Sequence, residues 1–338
     1  MNEEKDLKDD LDFWATNSEE GGWNISSTDE GSQKMLEEED EKQIKIQTGS
    51  DVVDDYVYSE ETTDDERMIV NMGPQHPSTH GVLRLQVELE GEVVRRVKPV
   101  IGYLHTGMEK TGEELAYFQG PTNTTRMDYL SPLFNELVFS LTTEKLLDIE
   151  VPERAKAIRI LMTELNRISS HLVALATGGM DIGALSMMIF GFRERELILN
   201  FFEKTSGLRM NHNYIRPGGV AADLPDNWQK DIKDILKIIP EKLKDYDEML
   251  LDNPIWQGRL KNIGILTTEE CFAYGITGPS LRASGFSWDL RKTQPYSGIE
   301  NYDFEVPLLT DSDVFSRWRI KVLEIFESLK IVEQVMDT

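Results

Sequence analysis

From Pro152 to Thr177 the residues Ile158, Leu161, Leu165, Ile168, Leu172 and Leu175 recur every three or four positions. That spacing draws one apolar stripe along an α-helix of about seven turns. So long a stripe is buried only against other long helices, which makes a helical bundle the natural architecture. Pro152 suits the first turn, and Gly178-Gly179 is expected to end the helix. Segments around 131–147, 185–205, 227–250 and 312–336 also read as helices of several turns.

The chain ahead of these helices has a different period. Leu83, Leu85, Val87 and Leu89 alternate with Arg84, Gln86, Glu88 and Glu90, predicting a half-buried strand. Glu90-Gly91-Glu92 reads as a turn, with Val93 to Val100 returning as the partner strand. The expected fold class is therefore α+β and mainly helical, a small N-terminal β element joined to a long-helix bundle. The β-rich part is expected over residues 67–120 and the helical core over 121–338. Within the core, Gly275 to Tyr302 is punctuated by Gly, Ser and Pro and is too long for a plain connector, so it reads as a functional or partner-facing loop.

Charge is unevenly spread. Residues 1–66 hold 23 Asp and Glu against 5 Lys, a net −18, so of the chain's −25 the remaining residues carry only −7. The acidic stretch is rich in Ser, Thr and Gly and is expected to be a disordered, dispensable or regulatory extension. A body this weakly charged, with no basic stripe, argues against nucleic acid as a partner. The longest candidate for a membrane span, from Met187 to Phe192, is stopped by Arg193, Glu194 and Arg195, so at most the chain sits on a membrane. No secretory or transit pattern opens the sequence, and a reducing compartment is expected. The single cysteine, Cys271, excludes a disulfide framework and any iron–sulfur cluster or thiolate metal site built from this chain alone. It is expected as a small buried hydrophobe.

Three short stretches carry candidate chemistry. In Gly73-Pro74-Gln75-His76-Pro77-Ser78-Thr79-His80-Gly81, two prolines and two glycines force an irregular loop before the first predicted strand. Pro77 disfavours the helical conformation at His76, so His76 and His80 do not form a metal pair on one helix. On residue type alone both histidines would simply bond loop backbone. The second stretch is Gly102-Tyr103-Leu104-His105-Thr106-Gly107-Met108-Glu109-Lys110, and the third is Thr125-Arg126-Met127-Asp128-Tyr129-Leu130-Ser131-Pro132. Singly each is a weak signal.

Together, in this order and spacing, they resemble the D subunit family of NADH-quinone oxidoreductase (respiratory complex I) over essentially all of residues 67–338. Further matches are Gly179-Met180-Asp181-Ile182-Gly183-Ala184, Tyr214-Ile215-Arg216-Pro217-Gly218-Gly219, Gly278-Pro279-Ser280-Leu281-Arg282, and Trp288-Asp289-Leu290-Arg291-Lys292-Thr293-Gln294-Pro295-Tyr296. The resemblance implies a fold like the nickel–iron hydrogenase large subunit. It also implies a quinone-reduction cavity shared with an iron–sulfur subunit that carries the terminal cluster. Other peripheral-arm and membrane-arm subunits would be partners, at the cytoplasmic face of a bacterial cell membrane. Quinone would be the substrate, with no cofactor and no metal bound by this chain.

By the same resemblance His80 and Tyr129 match the headgroup residues, and Asp181 matches the acid that pairs with the histidine. Arg126, Thr177 and His76 match cavity- or cluster-facing positions. A quinone that takes two electrons must also take two protons, and a histidine and a tyrosine hydroxyl can polarise its carbonyls and supply them. An aspartate on the histidine would hold it oriented and protonated.

The hydrogenase motif Arg-x-Cys-x-x-Cys falls on Arg126 to Ser131, with Asp128 and Ser131 where the thiolates would stand. A nickel site cannot form there. Two departures from better-studied members of the family limit what is carried over. Thr106 follows His105 where some members have arginine. Asn211 stands where some have a histidine linked to cluster protonation. His212, one place on, is expected as a polar surface or interface residue, and His171 as a satisfied interior one. The alternative to a catalytic role is a non-catalytic scaffold or a truncated inactive fragment, since the family continues past the position of Thr338.

Overall fold

The computed structural model describes residues 67–251 and 253–337, so the acidic extension expected over 1–66 lies outside the described residues. Contacts divide the chain into two units, Met1–Met68 with Glu90–Glu92, and Ile69–Leu89 with Val93–Thr338. The described part of the first is Arg67, Met68 and the Glu90–Glu92 turn. The second holds every described helix and nearly all of the strand residues.

Three strands, β1 (Arg67–Met72), β2 (Arg84–Glu90) and β3 (Val93–Val100), form a sheet in the order β1-β2-β3. The alternation along β2 is blunter than its sequence predicts: Val87 alone is fully buried, and most neighbours of both sets are half-buried. Strand character stops at Val100. The stretch to residue 120 holds helix α1 (Met108–Glu114), followed by α2 (Gly120–Thr124).

The body is helical: α3 (Pro132–Leu147), α4 (Glu153–Asp181), α5 (Leu185–Ser206), α6 (Trp228–Leu250), α7 (Pro254–Leu260), α8 (Thr268–Ala273), α9 (Gly278–Arg282), α10 (Leu290–Thr293) and α11 (Val314–Met336). A two-stranded antiparallel ribbon, β4 (Ile215–Arg216) and β5 (Gly219–Val220), pairs Ile215 with Val220. The helix of 29 residues, α4, is the axis of the core, packing along α5 on one side and α11 on another. Its predicted stripe is buried almost completely, with Leu161, Leu165, Ile168, Leu172 and Leu175 fully enclosed.

The α4 helix does not end at Gly178-Gly179 as its sequence predicts; it runs on to Asp181. Gly179 serves packing instead: a Cβ there would stand 2.8 Å from the Met187 Cβ. Likewise a Cβ on Gly191 of α5 would stand 2.7 Å from the Ala176 Cβ. These two glycines let α4 and α5 approach closely around the turn that joins them.

The stretch Gly275 to Tyr302, expected as a functional or partner-facing loop, is partly helical and partly buried. It contains α9 and α10, and it buries Leu281, Arg282, Ala283 and Arg291. The two arginines enter an internal chain of charges. Arg291 joins Glu164 of α4 at 3.1 Å and Asp289 at 2.7 Å, while Arg282 donates to Glu324 of α11 at 2.6 Å. Glu324 in turn meets the His171 Nε2 of α4 at 2.7 Å. Burial opposes ionisation of Glu324, but the His171 hydrogen bond and the neighbouring arginines carry its carboxyl down to about 2. Burial also pushes His171 below its ordinary value despite Glu324. His171 is thus interior and satisfied, and Cys271 is fully buried.

Candidate functional site

The loop from Gly73 to Gly81 takes the irregular form its prolines and glycines impose. His76 is extended, at φ −139° and ψ 137°, and its Nδ1 accepts from the Ser78 amide at 3.2 Å. The Ser78 hydroxyl lies 2.7 Å from the same nitrogen. Gly73 has φ +90°, and a Cβ there would stand 2.1 Å from the Leu83 carbonyl oxygen, so only glycine fits. His80 is left-handed at φ 52°, an uncommon conformation for a residue with a side chain. Its imidazole leaves its own loop altogether.

The His80 Nε2 lies 3.3 Å from the Asp181 Oδ2, across 101 residues of sequence. Both side chains are about half open to solvent, at 45% and 46%. Asp181 is the last residue of α4, and the turn beyond it is held from outside by Arg259 of α7, whose Nη1 donates to the Ile182 carbonyl oxygen. The backbone-bonding reading that residue type favours is therefore right for His76 and wrong for His80.

Tyr129 sits on the exposed loop between α2 and α3, at 45% exposure. No hydrogen-bond partner meets its hydroxyl among the described residues, but its backbone neighbours are pinned. The Leu130 amide donates to the Asp128 Oδ1 at 3.1 Å, and the Asn135 Nδ2 donates to the Asp128 carbonyl at 3.0 Å. Arg126, also exposed, folds its guanidinium back onto the Thr122 carbonyl oxygen. Thr125 beside it is buried and donates to the Glu136 Oε1 at 2.6 Å.

Glu136 is fully buried, and its carboxylate also accepts the amides of Asn213, Tyr214 and Ile215, at 2.6, 2.8 and 2.9 Å. Burial nevertheless outweighs these donors and holds its pKa above the usual range. One residue on α3 thereby ties the Arg126 loop to the segment leading into the β4–β5 ribbon.

Thr177, one turn before Asp181, spends its hydroxyl on the Val173 carbonyl at 2.8 Å and is half-buried. His105 and Thr106 are exposed. The His212 expectation fails: the residue is buried, 4% exposed, not at the surface. Helix α5 ends at Ser206, and Asn211 and Asn213 both have positive φ, so His212 stands in a tight loop beyond the helix. The tight loop turns His212 inward, edge-on to Phe202, with Nδ1 at 3.0 Å from both the Ser206 hydroxyl and the Leu208 carbonyl oxygen.

Of the six candidate site residues, His80 and Asp181 are the two joined by a side-chain hydrogen bond. Tyr129 is linked to them through α4. Ser131, two residues after Tyr129, lies 3.4 Å by its hydroxyl from Ser170, and Asp181 follows Ser170 by about 16 Å of helical rise. The sequence reading missed Asn166, Ser170, Glu136 and Arg259. Asn166 lies among Thr163, Glu164, Leu165 and Arg167, so nothing in its sequence setting singles it out.

Residues 181–338 match the family model described as the respiratory-chain NADH dehydrogenase 49 kDa subunit. The curated NADH-quinone oxidoreductase D subunit of Mycobacteroides abscessus is 54% identical over 297 residues, 87% of this chain and 69% of that protein. The chain belongs to this D subunit family. A D subunit of Salinispora arenicola is 59% identical over 275 residues, 81% of this chain and 62% of that protein. The D subunit of Rhodococcus jostii is 59% identical over the same length, covering 63% of that relative. The chain thus spans somewhat under two thirds of the length of these last two.

Proposed function

We propose that this D subunit chain forms the quinone-reduction cavity of a proton-translocating NADH-quinone oxidoreductase, together with a neighbouring iron–sulfur subunit. Electrons would pass from NADH through iron–sulfur clusters held by partner subunits, the last of them beside Arg126. The observation that carries the reading is the His80–Asp181 contact. A histidine in a strained loop reaches a distant helix end and stays half open to solvent, as a proton donor facing a ligand must.

The chemistry asked of these residues is proton supply. Reduction of a quinone to a quinol consumes two electrons and two protons. His80 would donate to one carbonyl oxygen and the Tyr129 hydroxyl to the other, with Asp181 orienting the imidazole. Tyr129 has no partner among the described residues to compete for its proton. Thr177 and His76 would line the cavity. None of the described helices is long and apolar enough to cross a membrane, so attachment at the cytoplasmic face of the cell membrane would come through the partners.

The test is made in the assembled complex, with His80→Ala and Tyr129→Phe. Inhibitor-sensitive NADH-to-quinone turnover should fall at least tenfold, given the usual 10²–10⁴-fold worth of a positioned acid. NADH-to-ferricyanide turnover, which draws electrons upstream, should be unchanged. Wild-type quinone turnover in both variants sinks the reading. Failure of the wild-type chain to co-purify with an iron–sulfur partner favours a scaffold or inactive fragment instead.

A further inference from the structure

Asn166 sits in the middle of α4 and is 2% exposed. A buried amide at such a position costs free energy unless both its ends are bonded. Here both are. Its Oδ1 accepts the Leu133 amide at 3.1 Å, and its Nδ2 donates to the Leu130 carbonyl oxygen at 3.0 Å.

Those two backbone groups bracket Ser131 and Pro132, the residues that lead from Tyr129 into α3. Leu133 lies in the first turn of α3, whose amides have no partner inside the helix. The N-cap residue Ser131 makes no side-chain cap bond. Asn166 supplies from another helix the cap that Ser131 withholds, and with the same side chain it holds the residue next to Tyr129. One turn further along α4 the Ser170 hydroxyl meets that of Ser131.

Asn166, Ser170, Thr177 and Asp181 stand within about 60° of one another around α4. The helix face that fixes the Tyr129 loop is therefore the one that ends in the acid holding His80.

We propose that Asn166 is a positioning residue, the amide that sets the Tyr129 hydroxyl where it can protonate the quinone. The assignment rests on the quinone-site reading above. Asn166 touches no substrate and acts only through the loop.

The experiment is a double-mutant cycle in the assembled complex, using NADH and a water-soluble short-chain quinone. The variants are Tyr129→Phe, Asn166→Ala and the pair, with assembled protein quantified in each. Asn166→Ala should lower kcat on the order of tenfold while KM moves less. The pair should be no slower than Tyr129→Phe alone, since residues acting as a unit are not additive. An unchanged kcat, or losses that multiply, overturns the assignment. An unslowed Tyr129→Phe removes the tyrosine from the quinone-site reading, and this assignment with it, while His80→Ala tests the rest of that reading.

Asn166→Asp guards against poor assembly of the alanine variant. Protonated, the introduced carboxyl can still donate to the Leu130 carbonyl; ionised, it faces that oxygen as a second acceptor. Its kcat should fall as pH rises, a limb absent from the wild type and from Asn166→Asp combined with Tyr129→Phe. A flat profile overturns the proposal.

Discussion

His212 shows how little a residue's type says about its setting. Polar and one place away from a family position, it is nonetheless enclosed by Phe202 and a tight loop. Burial pulls its pKa from 6.5 down to about 4. Between those values the unfolded chain binds a proton that the native chain refuses, so native stability is complete above the unfolded value and falls as pH drops toward 4. The full shift corresponds to about 3 kcal/mol. Replacing His212 with Gln should flatten unfolding free energy against pH between about 6.5 and 4, measured by denaturant titration at each pH. A slope as steep as the wild type's would show that other groups carry the acid sensitivity. His80, four residues from His76 in the same loop, has a different fate because its left-handed backbone turns the ring outward to Asp181.

Among the elements, the decisive contact is the close approach of α4 and α5 next to Asp181. Gly191 faces the Ala176 Cβ and the Leu172 carbonyl oxygen, with no space for a side chain. Gly191→Leu should push α5 away from α4 and cost about 1–3 kcal/mol or more, the usual penalty of overpacking. Thermal unfolding reads that loss. Because α4 ends at the residue that holds His80, quinone turnover should fall more than Tm alone explains. A variant with lowered Tm but unaltered turnover per assembled complex would show that the α4 terminus is held independently, by Arg259. The predicted stop at Gly178-Gly179 fails for a related packing reason: Gly179 is required by Met187 of α5, and nothing in α4 itself says so.

Across the whole molecule, the bundle is cross-linked by charge as well as by apolar packing. Glu164 and His171 of α4, Arg282, Asp289 and Arg291 of the α9–α10 stretch, and Glu324 of α11 form one internal chain. Removing one member of a buried pair typically costs about 3–5 kcal/mol, because its partner is left charged and uncompensated. Glu324→Gln should therefore destabilise the chain by that order, leaving Arg282 with Asp289 at 3.9 Å as its carboxylate partner. Asp289 as well as Glu324 is brought to about 2, its burial overcome by Arg291 and Arg282. Carboxylates lowered in this way stabilise above their unfolded pKa, and that stability is lost as pH falls toward 2. In acid the Glu324→Gln chain should lose less further stability than the wild type. A parallel acid profile would contradict this account of the network.

The sequence by itself determined the long helices, because an apolar period of 3.6 over α4 admits no other burial, and Val93 to Val100 as a strand. It also determined the family, because many separated motifs agree. It did not determine the interior of Gly275 to Tyr302. Arginine and aspartate read as solvated until their partners are known, and those partners lie on α4 and α11, far off in sequence. Nor did it reveal the Asn166 clamp or the inward turn of His212. Each depends on which backbone groups lack a hydrogen bond once the helices are packed, and only the tertiary structure decides that.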